Sequence, residues 1–271
     1  MSTIEPGMDA DPKAPDWYDA IWLARYIEAQ EIIADKAPER LREFTESFTI
    51  LRTPPSYCRQ LALPGFLTLN ELANIRAVIR TIPMNRLEVN ELQNFGRFVV
   101  HRWPEFTALQ ERLTERVSDL VGEPLEPSYN FLSLYTKMGI CEPHLDAPSA
   151  KWTLDICIDQ SDVWPIHFSQ VIDWPHSKAD LRAMSFDQIT EDAALHFEEV
   201  LLQPGDAALF SGTNQWHFRR ALPSGPGKRF CELLFLHYIP RGTSELVQPK
   251  TWSKLFDIPE LAEMSDLDLI Y

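Results

Sequence analysis

His144-Leu145-Asp146 sets an imidazole and a carboxylate two residues apart. On an extended chain the side chains at i and i+2 leave from the same face, so the pair can bite one metal ion together. Such a triplet is common by chance, and it gains meaning from the downstream residues. Pro204-Gly205-Asp206 reads as a turn that delivers an apolar run, residues 207–211, toward His217, and Arg229 comes twelve residues later. Two imidazoles and one carboxylate fill three corners of an octahedron and leave the opposite face open. That is the pattern of a reactive ferrous site rather than of a closed structural zinc site. His144, Asp146 and His217 are therefore the candidate metal ligands and catalytic residues.

Side chains held this way need strands beneath them. After Pro127 the chain changes from helical spacing to short alternating runs bounded by Gly, Pro and Asp. The clearest is residues 152–159, with Trp152, Leu154, Ile156 and Ile158 on one face and Thr153, Asp155, Cys157 and Asp159 on the other. Further strands are predicted over residues 128–137, 166–172, 198–202, 207–211 and 229–238. Before Pro127 the periodicity is helical. One run covers residues 16–48 and is broken by Pro38. A second helix follows the Leu63-Pro-Gly-Phe66 turn, capped by Thr68 or Asn70, with an apolar stripe of Leu69, Leu72, Ile75, Val78, Ile79 and Ile82. A last helix runs from about Phe106 to Leu120 and stops at Gly122. The expected fold is α+β and mainly β, an antiparallel barrel or jelly roll with N-terminal helices packed on one sheet. A single domain is expected over residues 1–271: a mobile tail (1–15), a mainly helical buttress (16–125), a β core (126–240) and a C-terminal extension (241–271).

Charge and composition narrow the function classes. The 271 residues carry 25 Lys and Arg against 40 Asp and Glu, and no stretch gathers the basic residues into a phosphate-tracking surface, so nucleic acid is not an expected partner. Cys58, Cys141, Cys157 and Cys231 form no CxxC pair, and no basic segment followed by an apolar run opens the chain. A reduced, cytoplasmic protein without a membrane span is expected.

His144-x-Asp146, a distal His217 and Arg229 beyond it together resemble the 2-oxoglutarate- and Fe(II)-dependent oxygenases. Leu63-Pro-Gly-Phe-Leu67 with its following helix resembles that family's N-terminal start. The stretch from Tyr135 through Gly139 to Asp146 is similar to its approach strand and first ligands, so the resemblance covers roughly residues 63–238. It implies a double-stranded β-helix (a cupin-like jelly roll), bound Fe(II), 2-oxoglutarate as co-substrate and O2. Arg229 would then offer a planar fork to the far carboxylate of 2-oxoglutarate, where lysine would offer only a point charge. Tyr135 would add a hydrogen bond. Cys231 shares the inward face at a position where the family often has Ser or Thr, a departure that weakens the contact.

The activity implied is hydroxylation of an unactivated C–H bond in a small molecule, an amino acid or natural-product intermediate, with release of succinate and CO2. Related iron halogenases replace the carboxylate ligand with a small residue, and Asp146 is retained here. Desaturation, cyclisation and epoxidation stay open, as do a peptide or protein hydroxylase and a non-catalytic cupin-like binding protein. Trp152, Trp164 and Trp174 are candidates for the substrate wall, and Arg219 for substrate contact. Arg219 and Arg220 are also the alternatives to Arg229 as carboxylate anchor. His237 faces inward by parity and reads as a core histidine or a support for the metal ligands.

Overall fold

The computed structural model of the chain describes residues 20–55, 61–182 and 186–264. The expected tail over residues 1–15, Trp17 and Cys58 lie outside them. Among the described residues ten strands form two antiparallel sheets. They are β1 (Leu61–Leu63), β2 (Arg97–His101), β3 (Leu125–Tyr135), β4 (Cys141–His144), β5 (Trp152–Gln160), β6 (Ile166–Phe168), β7 (Glu198–Val200), β8 (Ala207–Ser211), β9 (His217–Arg219) and β10 (Cys231–Pro240). The larger sheet has the order β1-β8-β5-β10-β3-β2 and the smaller β4-β9-β6-β7.

The helices form where periodicity and caps coincide. α1 (Ala20–Lys36) ends just before Pro38, which opens a 3₁₀ turn leading into α2 (Leu41–Ser47). α3 (Leu69–Thr81) starts on a capping box, with the Thr68 side chain accepting from the Glu71 amide and the Glu71 carboxylate accepting from the Thr68 amide. Leu72 and Ile75 of its stripe are buried, whereas Leu69 in the first turn is exposed. α4 (Pro104–Val121) begins on proline and ends at Gly122, whose left-handed φ of 79° closes the helix. β1 and β2 lie within the stretch expected to be mainly helical and edge the larger sheet; at three and five residues they are too short for alternation to show.

Three apolar clusters divide the interior. α3 and α4 cover the outer face of the larger sheet, against Trp152, Leu154, Ile156, Ile158, Leu234 and Leu236. α1 and α2 pack with the C-terminal segment around Trp22, Trp174, Trp216 and Trp252. The third cluster lies between the sheets and draws Tyr135, Cys157, Phe168, Val200, Phe210 and Cys231 from both. The alternation in β5 is thereby fixed. Burying a Leu or Ile side chain is worth about 1.5–3 kcal/mol, and a one-residue slip would exchange Leu154, Ile156 and Ile158 for Thr153, Asp155 and Cys157. Apolar burial on the outside thus sends Thr153 and Asp155 into the space between the sheets. No helix among the described residues is long and apolar enough to cross a membrane.

Candidate metal centre

β4 and β9 pair antiparallel with His144 directly opposite His217, and the two rings lie 4.2 Å apart. Asp146 lies two residues beyond the end of β4, held by a hydrogen bond from its amide to the Gly212 carbonyl at 2.8 Å. Its Oδ1 sits 3.3 Å from His144 Nε2 and 3.5 Å from His217 Nε2. One ligand atom from each of the three residues falls within 4.8 Å of the others, the size of a single-ion site.

Tautomers are set by the backbone. His144 Nδ1 lies 2.9 Å from the Glu142 carbonyl and His217 Nδ1 3.0 Å from that of Gln215. A carbonyl only accepts, so both rings carry a proton on Nδ1 and turn Nε2 to the centre. Burial alone would raise the Asp146 carboxyl, but His217 and His144 beside it more than offset that and hold it well below the usual carboxylate range. Burial also works against charge on His144, and Cys141 and Asp146 outweigh it, leaving that imidazole well above its ordinary value. A metal ion must displace this proton, so uptake releases acid. His217 and Asp146 are buried, whereas 19 % of the His144 side chain is accessible, which marks the side from which the centre is reached. Two imidazoles in the Nε2-ligating tautomer and one carboxylate fit a divalent first-row ion such as Fe(II) and leave positions open for other ligands.

The other sequence-derived candidates separate into two groups. Tyr135, Cys231, Trp164 and Arg219 all reach the space between the sheets. Tyr135 and Cys231 are opposite one another on β3 and β10, and the Tyr135 ring meets Trp164 at 4.8 Å. Burial pushes the Tyr135 phenol up, so it stays protonated, and its oxygen accepts from Arg97 at 2.7 Å. The Cys157 thiol is also pushed up, by its hydrogen bond with Cys231 and by burial, and so lines the interior without being reactive. Arg219, two residues beyond His217 on the same strand face, is 3 % exposed and pairs with Asp155 at 2.6 Å. It also donates to the Trp164 carbonyl, with the guanidinium 5.1 Å over the Trp164 ring. Burial raises the Asp155 carboxyl against the pull of Arg219.

Arg229, Trp152 and Trp174 lie elsewhere. Arg229 precedes β10, pairs with the half-exposed Asp162 and donates through Nε to the Pro223 carbonyl at 2.9 Å. Trp152 belongs to the helix-covered face, where its indole donates to Glu123. Trp174 joins the α1 cluster, donates to the Thr213 carbonyl at 3.1 Å and is capped by Arg52 at 4.6 Å. Of the strand-face acids, Asp155 is fully buried, while Asp159 is partly exposed beside Arg76. Sequence reasoning missed Arg97, Glu91 and Gly212. Arg97 ion-pairs with Glu91 and faces inward from β2, a strand its composition does not announce.

No protein-family model and no curated protein sequence matches the chain. Solved structures do. HygX from Streptomyces hygroscopicus, crystallised with nickel and 2-oxoglutarate, superposes with a TM-score of 0.52 at 15% identity, over 74% of this chain and 87% of that one. The non-haem alpha-ketoglutarate-dependent epimerase SnoN from nogalamycin biosynthesis gives 0.50 at 14% identity, over 75% and 84%. The carbocyclase SnoK from the same biosynthesis gives 0.50 at 14%, over 68% and 81%. The chain shares their fold. That fold accommodates two antiparallel sheets with helices outside them, the α+β arrangement expected from the alternating runs after Pro127.

Proposed function

We propose that the chain is an Fe(II)- and 2-oxoglutarate-dependent oxygenase acting on a small molecule. The observation that carries the reading is the convergence of His144 Nε2, His217 Nε2 and Asp146 Oδ1, on a fold shared with a structure that holds nickel and 2-oxoglutarate and with an alpha-ketoglutarate-dependent epimerase. In this reading the two sheets are a double-stranded β-helix, and residues 1–271 make one domain. Bound there, iron and 2-oxoglutarate supply the oxidising chemistry, with O2 consumed and succinate and CO2 released.

The protein's contribution is binding and orientation. His144, Asp146 and His217 hold the metal through three adjacent positions. The far carboxylate of the co-substrate needs a cation, and Arg219 is better placed than Arg229: it is buried between the sheets on the His217 face, whereas Arg229 is engaged at the rim. Arg219 is matched by Asp155, whose raised carboxyl can take up a proton when a second carboxylate arrives. Tyr135, a neutral phenol in the same space, offers a further donor, and Cys231 across from it leaves room without adding one. Trp164 forms the wall against Tyr135 and Arg219.

Retention of Asp146 favours hydroxylation over halogenation, since the carboxylate occupies the position a halide would need. That HygX has been crystallised with hygromycin B favours a small-molecule substrate here. The test is succinate release from 2-oxoglutarate under air with added Fe(II). The wild type is expected to form it, and His144→Ala and His217→Ala to form none. Wild-type yields from both variants would sink the assignment.

A further inference from the structure

We propose that Thr153 and His237 are positioning residues: a hydrogen-bonded strut behind Asp146 that leaves only Oδ1 of its carboxylate to face the metal. The inference rests on reading the triad as a metal centre. Thr153 of β5 and His237 of β10 are register partners across neighbouring strands of the larger sheet, and both are buried. Thr153 Oγ1 lies 3.1 Å from Asp146 Oδ2 and 3.0 Å from His237 Nδ1, with the Ala150 carbonyl more distant at 3.4 Å.

One hydroxyl carries one proton. An ionised carboxylate and a carbonyl only accept, so the threonine proton goes to Asp146 Oδ2. Were it turned to His237, two oxygens bearing only lone pairs would face each other at 3.1 Å. The proton on the other contact must then come from His237, which donates through Nδ1 to the threonine oxygen. An imidazolium would donate through Nδ1 as well, but burial lowers this imidazole to about 4, so His237 is the neutral tautomer with its proton on Nδ1. The chain of donors runs His237 to Thr153 to Asp146.

His237 Nε2 supports a specific role for that donor. In this tautomer it is a buried acceptor, and it has no hydrogen-bond partner among the described residues. The ring stacks on Tyr129 at 4.1 Å and near Phe131 at 5.5 Å. Phenylalanine would stack there with no unsatisfied atom, so stacking does not account for a histidine. What histidine adds is the Nδ1 donor aimed at Thr153. The same oxygen is hemmed in by Gly212, where an added Cβ would stand 2.9 Å from Asp146 Cβ and closer still to Oδ2. With Oδ2 held by Thr153 and backed by Gly212, the carboxylate binds through one oxygen and leaves about three of six positions open, as a facial triad requires.

Mn(II) is the probe, read by its affinity and by water-proton relaxivity, which counts waters on the ion. Thr153→Val keeps the shape and removes the donor. It is expected to weaken Mn(II) about 10- to 100-fold and to lower the water count from about three to about two, as the released carboxylate binds through both oxygens. His237→Phe keeps the stack and should shift both readouts the same way by a smaller factor. His237→Asn loses the stack but places an amide N–H near the Nδ1 position, and should restore affinity to within about threefold of wild type. If Thr153→Val and His237→Phe both keep wild-type affinity and relaxivity, the strut is wrong while the metal centre stands. A wild type that takes up no Mn(II), Fe(II) or Co(II) overturns the reading of the centre and the strut with it.

Discussion

Gly212→Ala would perturb the site through a single methyl group. Gly212 has ordinary backbone angles, so alanine suffers no strain there, and the difficulty is space alone. The new Cβ would stand 2.6 Å from the Ala150 carbonyl oxygen and 2.9 Å from Asp146 Cβ. Ordinary contact begins at 3.4 Å, so the two backbone segments must part by about 0.8 Å, and no side-chain rotation can relieve a clash with a backbone oxygen. Metal–ligand distances tolerate about 0.2 Å, and Asp146 is tied to this same residue by its amide bond to the Gly212 carbonyl. The carboxylate should therefore leave the site, with Mn(II) or Fe(II) affinity falling at least about 100-fold. Overpacking of this kind costs about 1–3 kcal/mol, a Tm decrease on the order of 2–10 °C. Anaerobic metal titration and a thermal melt on the same preparation separate lost ligation from lost folding. A folded Gly212→Ala protein that takes up metal as tightly as wild type would refute the view that backbone packing aims Asp146.

Other contacts carry their own expected outcomes. Arg219→Lys should weaken 2-oxoglutarate at least about tenfold by equilibrium binding, since a point charge replaces a fork, while Arg229→Lys should change it less than about threefold; the reverse order would return the anchor role to Arg229. Folded His237 sits near 4 against about 6.5 when unfolded, so the unfolded chain binds the extra proton. Through this residue stability is complete above about pH 6.5 and falls by on the order of 2 kcal/mol toward pH 5. His237→Asn should flatten that part of the denaturation profile, and an unchanged slope would count against a neutral, buried imidazole. Trp152→Phe should lower the melting temperature through loss of the Glu123 contact yet leave kcat/KM unchanged; a selective rise in KM would put Trp152 back in the substrate wall.

The chemistry was more legible than the architecture that holds it. The convergence of His144, Asp146 and His217 could be read from residue type and spacing, because a metal site would leave few alternatives to histidine and carboxylate. The strands that bear them could not: β4 and β9 are four and three residues long, shorter than any alternation that periodicity can register. In β5 the two faces were legible, but their neighbours were not. Trp152 shares the Leu154 face, which became the helix-covered side, because helices from the N-terminal half pack there. Thr153 gains its role from Asp146 and from His237, 84 residues along the chain, through a register that no local pattern carries. Arg229 was favoured by its distance from His217, on the assumption that its strand had begun. β10 begins two residues later, and the guanidinium is spent on Asp162.

On this reading the chain binds Fe(II) and 2-oxoglutarate together at His144, Asp146 and His217. Anaerobic titration of the Fe(II)-loaded protein with 2-oxoglutarate tests it directly, because chelation of the iron by the oxoacid produces a weak, broad charge-transfer band in the visible. The band is expected to appear and saturate in the wild type and to be absent in His217→Ala. A wild type that binds Fe(II) yet shows no band at any 2-oxoglutarate concentration would contradict the claim.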